Sequence, residues 1–399
     1  MYSNIIGQNN EGEGITKING IITFVPFTLK GDVINLNIIK KNKKYNYANY
    51  TEILKKSIER KEPLCQYYYE CGGCNLMHQI YKYQLNFKID KVKNNFKHIC
   101  NIEINNLKIE YDNEYNYRNH ITLSVEKDKI GFYKNKTNQI IDINSCLIAS
   151  EIINKAIKDI KLFLSKYPNN NIKRISIKSY DQIMINIESD NFILIKEFKK
   201  YVNYHSLYIN NNFIDGKEKC TIHLKNIKYE ISNKSFFQKN TNMTIKLYDY
   251  IKDNINKNEN ILDLYCGVGS IGIYVGDKCN KIIGIEITKE AIIDAVYNAK
   301  LNNIKNIKFI CGKAEENLDN ITNIDTIVVD PPRVGLNKKA IKNINKIKPQ
   351  KIIYVSCNST TLCRDINLLK EKYKIDEIKL FDLFPNTFHV ECVCLLKLR

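Results

Sequence analysis

Ile261-Leu262-Asp263-Leu264-Tyr265-Cys266-Gly267-Val268-Gly269-Ser270-Ile271-Gly272 runs from an apolar strand into a glycine turn and on into a helix. Glycines in such a turn let the backbone approach a ligand closely. The spacing Gly267-x-Gly269-x-x-Gly272 fits a dinucleotide fingerprint. Glu286 ends the next strand-like run, 17 residues after Gly269, where a carboxylate can accept bonds from ribose hydroxyls. A nicotinamide nucleotide, S-adenosylmethionine and a tight turn without ligand all remain open on the loop alone. Asp263, just ahead of the turn, and two motifs further on favour adenosylmethionine.

Outward from this loop, strand and helix patterns alternate. Asn260 to Tyr265, Lys281 to Glu286, Ile307 to Cys311, Ile324 to Asp330 and Lys351 to Ser356 read as strands, with helical patterns in most gaps. That rhythm predicts an α/β fold, a mainly parallel sheet covered on both faces. Glu377 to Phe384 and His389 to Lys397 read as a closing antiparallel pair. Ligands gather outside the carboxyl ends of such strands, and two motifs fall there. Asp330-Pro331-Pro332-Arg333 makes a rigid acidic lip. Ser356-Cys357-Asn358 sets a thiol on a strand tip beside a helix start, where its pKa can be lowered; a buried packing cysteine is the competing reading. Glu391 in Phe388-His389-Val390-Glu391-Cys392 is a lone carboxylate in an apolar strand. Buried carboxylates need a reason, although an outward-facing position explains it equally.

The rest of the chain sets the context. Residues 1–57 carry short strand runs, Ile21 to Val25 and Val33 to Ile39, punctuated by Gly12, Gly14, Gly20 and Gly31, which suggests a small β-barrel. Lys40 to Lys44 is basic, and Tyr45, Tyr47 and Tyr50 follow; interleaved basic and aromatic residues suit nucleic acid, and a solvated edge fits as well. Residues 58–240 mix helix and strand patterns, with an amphipathic helix over Ala149 to Tyr167. Residues 241–399 form the α/β unit. Lys and Arg number 61 against 43 Asp and Glu, a net charge of +18, which favours a polyanionic partner. Enrichment in Asn, Ile, Lys and Tyr without Trp also fits compositional drift. No apolar stretch reaches the roughly 18 residues of a membrane span, and the N-terminus lacks a signal core. These features predict a cytoplasmic protein whose 13 cysteines are thiols or ligands. Four of them, Cys65, Cys71, Cys74 and Cys146, follow C-x5-C-x2-C and then a distant fourth. Four thiolates suit zinc or a cubane iron–sulfur cluster, spacing does not separate the two, and four metal-free thiols are a third reading.

A thiol and a carboxylate at one crevice match a specific chemistry. Carbon 5 of uracil is a poor nucleophile. Thiolate addition at carbon 6 makes it enolate-like and able to take a methyl from a sulfonium, after which a base removes the carbon 5 proton. Asp263 to Gly269, Asp330 to Arg333, Ser356 to Asn358 and His389 to Glu391, in that order, resemble the RNA uracil-5-methyltransferases, above all the bacterial ribosomal branch with a TRAM domain and an iron–sulfur cluster. The resemblance spans nearly the whole chain. It implies a class I (Rossmann-like) methyltransferase domain at 241–399, an OB-like TRAM barrel at 1–57 that binds RNA, and a central α+β domain at 58–240 carrying a [4Fe-4S] cluster on Cys65, Cys71, Cys74 and Cys146. It implies Cys357 as nucleophile and Glu391 as proton acceptor. Gln238 in Ser235-Phe236-Phe237-Gln238, Tyr265, Glu286 and Asp330 are implied S-adenosylmethionine contacts. Ser270 departs from the pattern, since some relatives carry an Asn there that touches the cofactor.

Three other readings compete. RNA cytosine-5-methyltransferases share the thiol chemistry but usually carry a second cysteine where this chain has Asp330 to Arg333. A non-catalytic RNA-binding protein on a methyltransferase fold would not need Cys357, Glu391 and Asp330 together. A nicotinamide enzyme leaves those motifs unexplained. The expected substrate is 23S rRNA, with tRNA as the alternative; no obligate protein partner is expected.

Overall fold

The computed structural model describes residues 1–135, 137–319 and 321–399. The N-terminal strands lie between Tyr2 and Lys55 in one six-stranded sheet. Its two edge strands, Tyr2–Asn4 and Gly7–Gln8, are successive parts of one segment. The sheet therefore closes on itself, around Ile5, Val25, Ile34, Leu36 and Ala48. The period-two alternation at Ile34 and Leu36 is what turns both side chains inward. Phe24, Tyr45 and Tyr47 form a ring cluster beside the exposed Lys40, Lys41, Lys43 and Lys44, with centroids 5.6–5.7 Å apart.

A seven-stranded sheet between His120 and Gly216 follows. The helix Glu151–Lys166 lays Ile153, Ile157, Ile160, Phe163 and Leu164 on it, and the Ser150 side chain caps it by accepting from the Ile153 N–H.

The third sheet has eight strands, in the order Ile307–Cys311, Lys281–Glu286, Asn260–Leu264, Thr326–Val329, Lys351–Ser356, Glu391–Leu398, Tyr373–Phe381, Lys108–Glu110. The first five are parallel. Glu391–Leu398 is antiparallel to both of its neighbours. Each expected strand is present, with ends moved by a few residues. The order reverses direction between Asn260–Leu264 and Thr326–Val329, the switch point where open α/β sheets bind ligands.

Pieces of the segment 58–240 pack onto this sheet. Lys108–Glu110 forms its edge, parallel to Tyr373–Phe381. Val92, Phe96, Cys100 and Leu107 share a core with Leu262, Ile327, Tyr354 and Cys392. The hairpin Cys220–Leu224 with Ile227–Ile231 joins the core on the other face. The helix Tyr81–Asn95 also supplies Lys88, whose ammonium meets Asp382 at 2.6 Å with both side chains fully buried. Removing one partner of such a pair costs about 3–5 kcal/mol, because the other is left charged and unpaired. No helix among the described residues is long and apolar enough to cross a membrane.

Candidate active site

The glycine turn is built from left-handed residues: Tyr265, Gly267 and Gly269 have φ of 63°, 52° and 74°. At Gly269 a Cβ would lie 2.7 Å from the Phe309 ring, so close packing demands glycine. At Gly267 a Cβ would meet nothing, because that residue faces open cleft. Asp263 lies buried beneath the turn and accepts from the Gly272 N–H at 3.1 Å, while its other oxygen has no partner. Burial pushes its carboxyl up to about 7, with Asp330 and Glu286 adding to the effect. Glu286 is fixed by the N–H groups of Gly267 and Thr288, at 3.3 and 2.8 Å.

One cleft of about 1210 Å³ is lined by Gln238, Tyr265, Glu286, Asp330, Cys357 and Glu391 together. Gln238 donates to Asp330 at 3.2 Å, tying the segment after Ser235 to the acidic lip. A nucleoside cofactor fits this arrangement: a bare backbone at Gly267, a held carboxylate at Glu286 and room above both.

The reacting edge follows from register. Ser356 pairs with Cys392 across antiparallel strands, so Cys357 at one strand's end stands beside Glu391 at the start of the other. Glu391 is buried and Cys357 half-buried. Burial pushes the Cys357 thiol up to about 11; the negative charges of Glu391 and Asp330 push the same way, and Arg333 opposes them by charge and by hydrogen bond. Glu391 is raised well above the usual carboxylate range by burial and then by Asp330, with Arg333 opposing. Burial also raises Asp330, to about 7. At Asp330 the Gln238 hydrogen bond opposes the upward shift, while at Cys357 and Glu391 the cation that opposes it is Arg333. Its guanidinium lies 2.9–3.1 Å from the ring nitrogens of His389, whose pKa falls to about 3 through burial and the nearby Arg333. That imidazole is neutral.

Cys65, Cys71, Cys74 and Cys146 line a second cavity, of about 440 Å³. Burial raises all four thiols, and the neighbouring cysteines add to this at Cys71, Cys74 and Cys146. Among the described residues no three His, Cys, Asp or Glu side chains converge tightly enough to hold a metal ion. A tetrahedral zinc, with Zn–S near ~2.3 Å, needs thiols almost in contact. The two cavities share Gly72, Gly73, Arg118 and Lys239, so the cysteine loop is also a wall of the cleft. Ser270, in contrast, directs its hydroxyl at Tyr248, 2.8 Å away.

Sequence reasoning assigned no part to Arg333, His389, Lys239 or the Gly72-Gly73 wall. Arg333 stood in a quoted motif, and its basic charge beside a candidate thiol was the available signal. Nothing local marked the glycines.

A doubly covered sheet with a crevice at its switch point, and a thiol beside a carboxyl at the same edge, is an arrangement that suits a methyltransferase. Comparison with known proteins agrees. The profile of the family described as tRNA (Uracil-5-)-methyltransferase matches residues 201–399. An RNA methyltransferase of Clostridium tetani is 34% identical, covering 98% of this chain and 95% of its own. One from Caldanaerobacter subterraneus is also 34% identical, covering 98% and 97%. The crystal structure of Pyrococcus abyssi tRNA (uracil-54, C5)-methyltransferase in complex with S-adenosyl-L-homocysteine superposes with a TM-score of 0.84 at 30% identity, covering 99% of this chain and 100% of that one. The chain belongs to the RNA uracil-5-methyltransferase family and is an S-adenosylmethionine-dependent enzyme.

Proposed function

We propose that the enzyme methylates carbon 5 of a uridine in 23S rRNA through a covalent bond between Cys357 and carbon 6 of the base. The observation that carries the reading is the register that sets Cys357 beside Glu391 in the cleft floored by the glycine turn. When bound, S-adenosylmethionine supplies an electrophilic methyl on a positively charged sulfur. Gln238, Tyr265, Glu286 and Asp330 hold it. Arg333 favours the Cys357 thiolate, which adds to carbon 6 and drives electron density onto carbon 5. After carbon 5 has taken the methyl, Glu391 accepts its proton, the carbon–sulfur bond breaks, and the thiolate is restored. The raised pKa of Glu391 makes its carboxylate a stronger base for that step. We assign residues 1–57 to RNA binding as a TRAM barrel, 58–240 to a central domain and 241–399 to the methyltransferase unit, in a cytoplasmic protein.

The rRNA assignment rests on the barrel and the cysteine set. A second reading, tRNA, is favoured by the P. abyssi enzyme, which acts on tRNA and aligns over the full length. Mapping 5-methyluridine in total RNA from a deletion strain decides: loss from 23S rRNA supports the proposal, and loss from tRNA alone replaces it with the second reading.

We further propose that Cys65, Cys71, Cys74 and Cys146 hold a [4Fe-4S] cluster, because all four line one cavity and four thiolates suit such a cluster. There it would staple the cysteine loop beside the cleft. Anaerobically purified protein is expected to contain about four iron and four sulfide per chain, with broad visible absorption. Stoichiometric zinc without iron would refute the cluster.

A further inference from the structure

We propose that one polar face of the helix Tyr81–Asn95 is a template for the segment 382–390, and that Gln84, Lys88 and Lys91 are positioning residues for methyl transfer; the proposal rests on the reading of Glu391 as proton acceptor. Tyr81, Gln84, Lys88 and Lys91 recur at spacings of three, four and three, which places them in one stripe along the helix. Each bonds to the segment that leads into Glu391. The Tyr81 hydroxyl donates to Asp382 at 3.0 Å. The Lys88 ammonium donates to Asp382 at 2.6 Å and to the Phe384 carbonyl at 3.1 Å. Gln84 exchanges two bonds with Asn386, donating to its side chain at 3.1 Å and accepting from its N–H at 3.0 Å. Lys91 donates to the Phe388 carbonyl at 2.9 Å.

The cysteine loop completes the hold, since the N–H groups of Asn75 and Leu76 both donate to the Asn386 carbonyl at 3.0 Å. Asn386 has a φ of 65°, in the left-handed region where Asn is among the few side chains tolerated. The segment it bends presents Phe384, Thr387, Phe388 and His389 to the cleft and ends at Glu391.

A helix stripe at 0% exposure is usually apolar, yet here Gln84 and Lys88 occupy it. Apolar residues at such sites are commonly as stable as a buried ion pair or more so. What the polar stripe adds is direction. It saturates an irregular backbone that would otherwise bury unpaired carbonyls, and it fixes which way the chain runs into the catalytic strand. A two- to five-residue turn is the common connection between antiparallel neighbours; the nine residues 382–390 are tolerable because the helix orders them.

Lys88→Met leaves Asp382 charged and buried and risks misfolding, so Gln84→Met and Lys91→Met are the informative variants, with Lys91→Arg as the conservative control. The full-length enzyme is compared by steady-state kinetics, S-adenosylhomocysteine titration, hydrogen exchange of 382–390 and denaturing gels with methyl-labelled cofactor. The expected result is a kcat lower by about 10- to 100-fold from misplacement of the reacting groups, with unchanged S-adenosylhomocysteine affinity, faster exchange confined to 382–390 and accumulation of a labelled RNA-linked species. Lys91→Arg should recover most of the rate. Wild-type kcat in both Met variants, or loss of kcat in step with S-adenosylhomocysteine affinity and melting temperature, would overturn the template. Glu391→Gln run alongside separates the two ideas: if it turned over normally the base assignment would fall, while kcat and exchange in the Met variants would still judge the template.

Discussion

Cys357→Ala is expected to abolish methylation and the covalent RNA adduct while S-adenosylmethionine still binds. The thiol stands at the tip of Lys351–Ser356, on the far side of the acidic lip from the glycine turn proposed for the cofactor. Removing a covalent nucleophile leaves only positioning, so the loss should reach about 10⁴-fold or more. Isothermal titration with S-adenosylhomocysteine and a denaturing gel on the same preparation make the check. An adduct that persisted in the variant would move the nucleophile elsewhere, with Cys266 and Cys363 next to test. The wild-type enzyme adds a pH signature. With the thiol pushed up to about 11 in the free enzyme, the thiolate fraction, and with it the rate of adduct formation at low RNA, should rise about tenfold per pH unit from about pH 7 to 9. Arg333→Met removes the opposing cation, raises that pKa further and should slow the step at every pH in this window.

Glu391→Gln should fail later. Thiolate addition and methyl transfer need no base at carbon 5, so the amide leaves them open and blocks release. Turnover is expected to fall by about 10²- to 10⁴-fold, the usual contribution of a general base. Methylated RNA should remain bound to the protein through a thioether that survives denaturation. With methyl-labelled cofactor this appears as a slow, labelled band that is absent from Cys357→Ala. Wild-type turnover in Glu391→Gln would remove the carboxylate from the mechanism. A non-catalytic RNA binder would give no band in any variant.

Legibility in the sequence followed the range of the interactions. The C-terminal strands could be read because each is a short apolar run closed by a glycine, proline or polar punctuation, as at Asp330-Pro331 and Cys266-Gly267. The strand Val33–Lys41 and the helix Glu151–Lys166 could be read from local period. The edge strand Lys108–Glu110 could not, because three residues paired with Lys379–Phe381 carry no periodicity. The polar stripe of Tyr81–Asn95 was hidden for the opposite reason. Gln84 and Lys88 look like a solvated face, yet both are buried and bond to Asn386 and Asp382, about 300 residues away. Arg333 and His389 stood within quoted motifs, yet their pairing depends on the fold.

The eight-stranded sheet draws its last strand from residues 108–110, and the segment 382–390 draws hydrogen bonds from residues 75–91. The stretch that the family profile matches, 201–399, therefore lacks one strand of its own sheet and the residues that bond to its segment 382–390. Loop-closure entropy must be met before contacts of such sequence separation form. Folding should accordingly run in two stages, with the glycine turn and its parallel strands assembling early from neighbours in the chain. The segment ending at Glu391 waits for the N-terminal half to dock. Cofactor binding should thus return before methyl transfer when the denatured full-length enzyme is refolded.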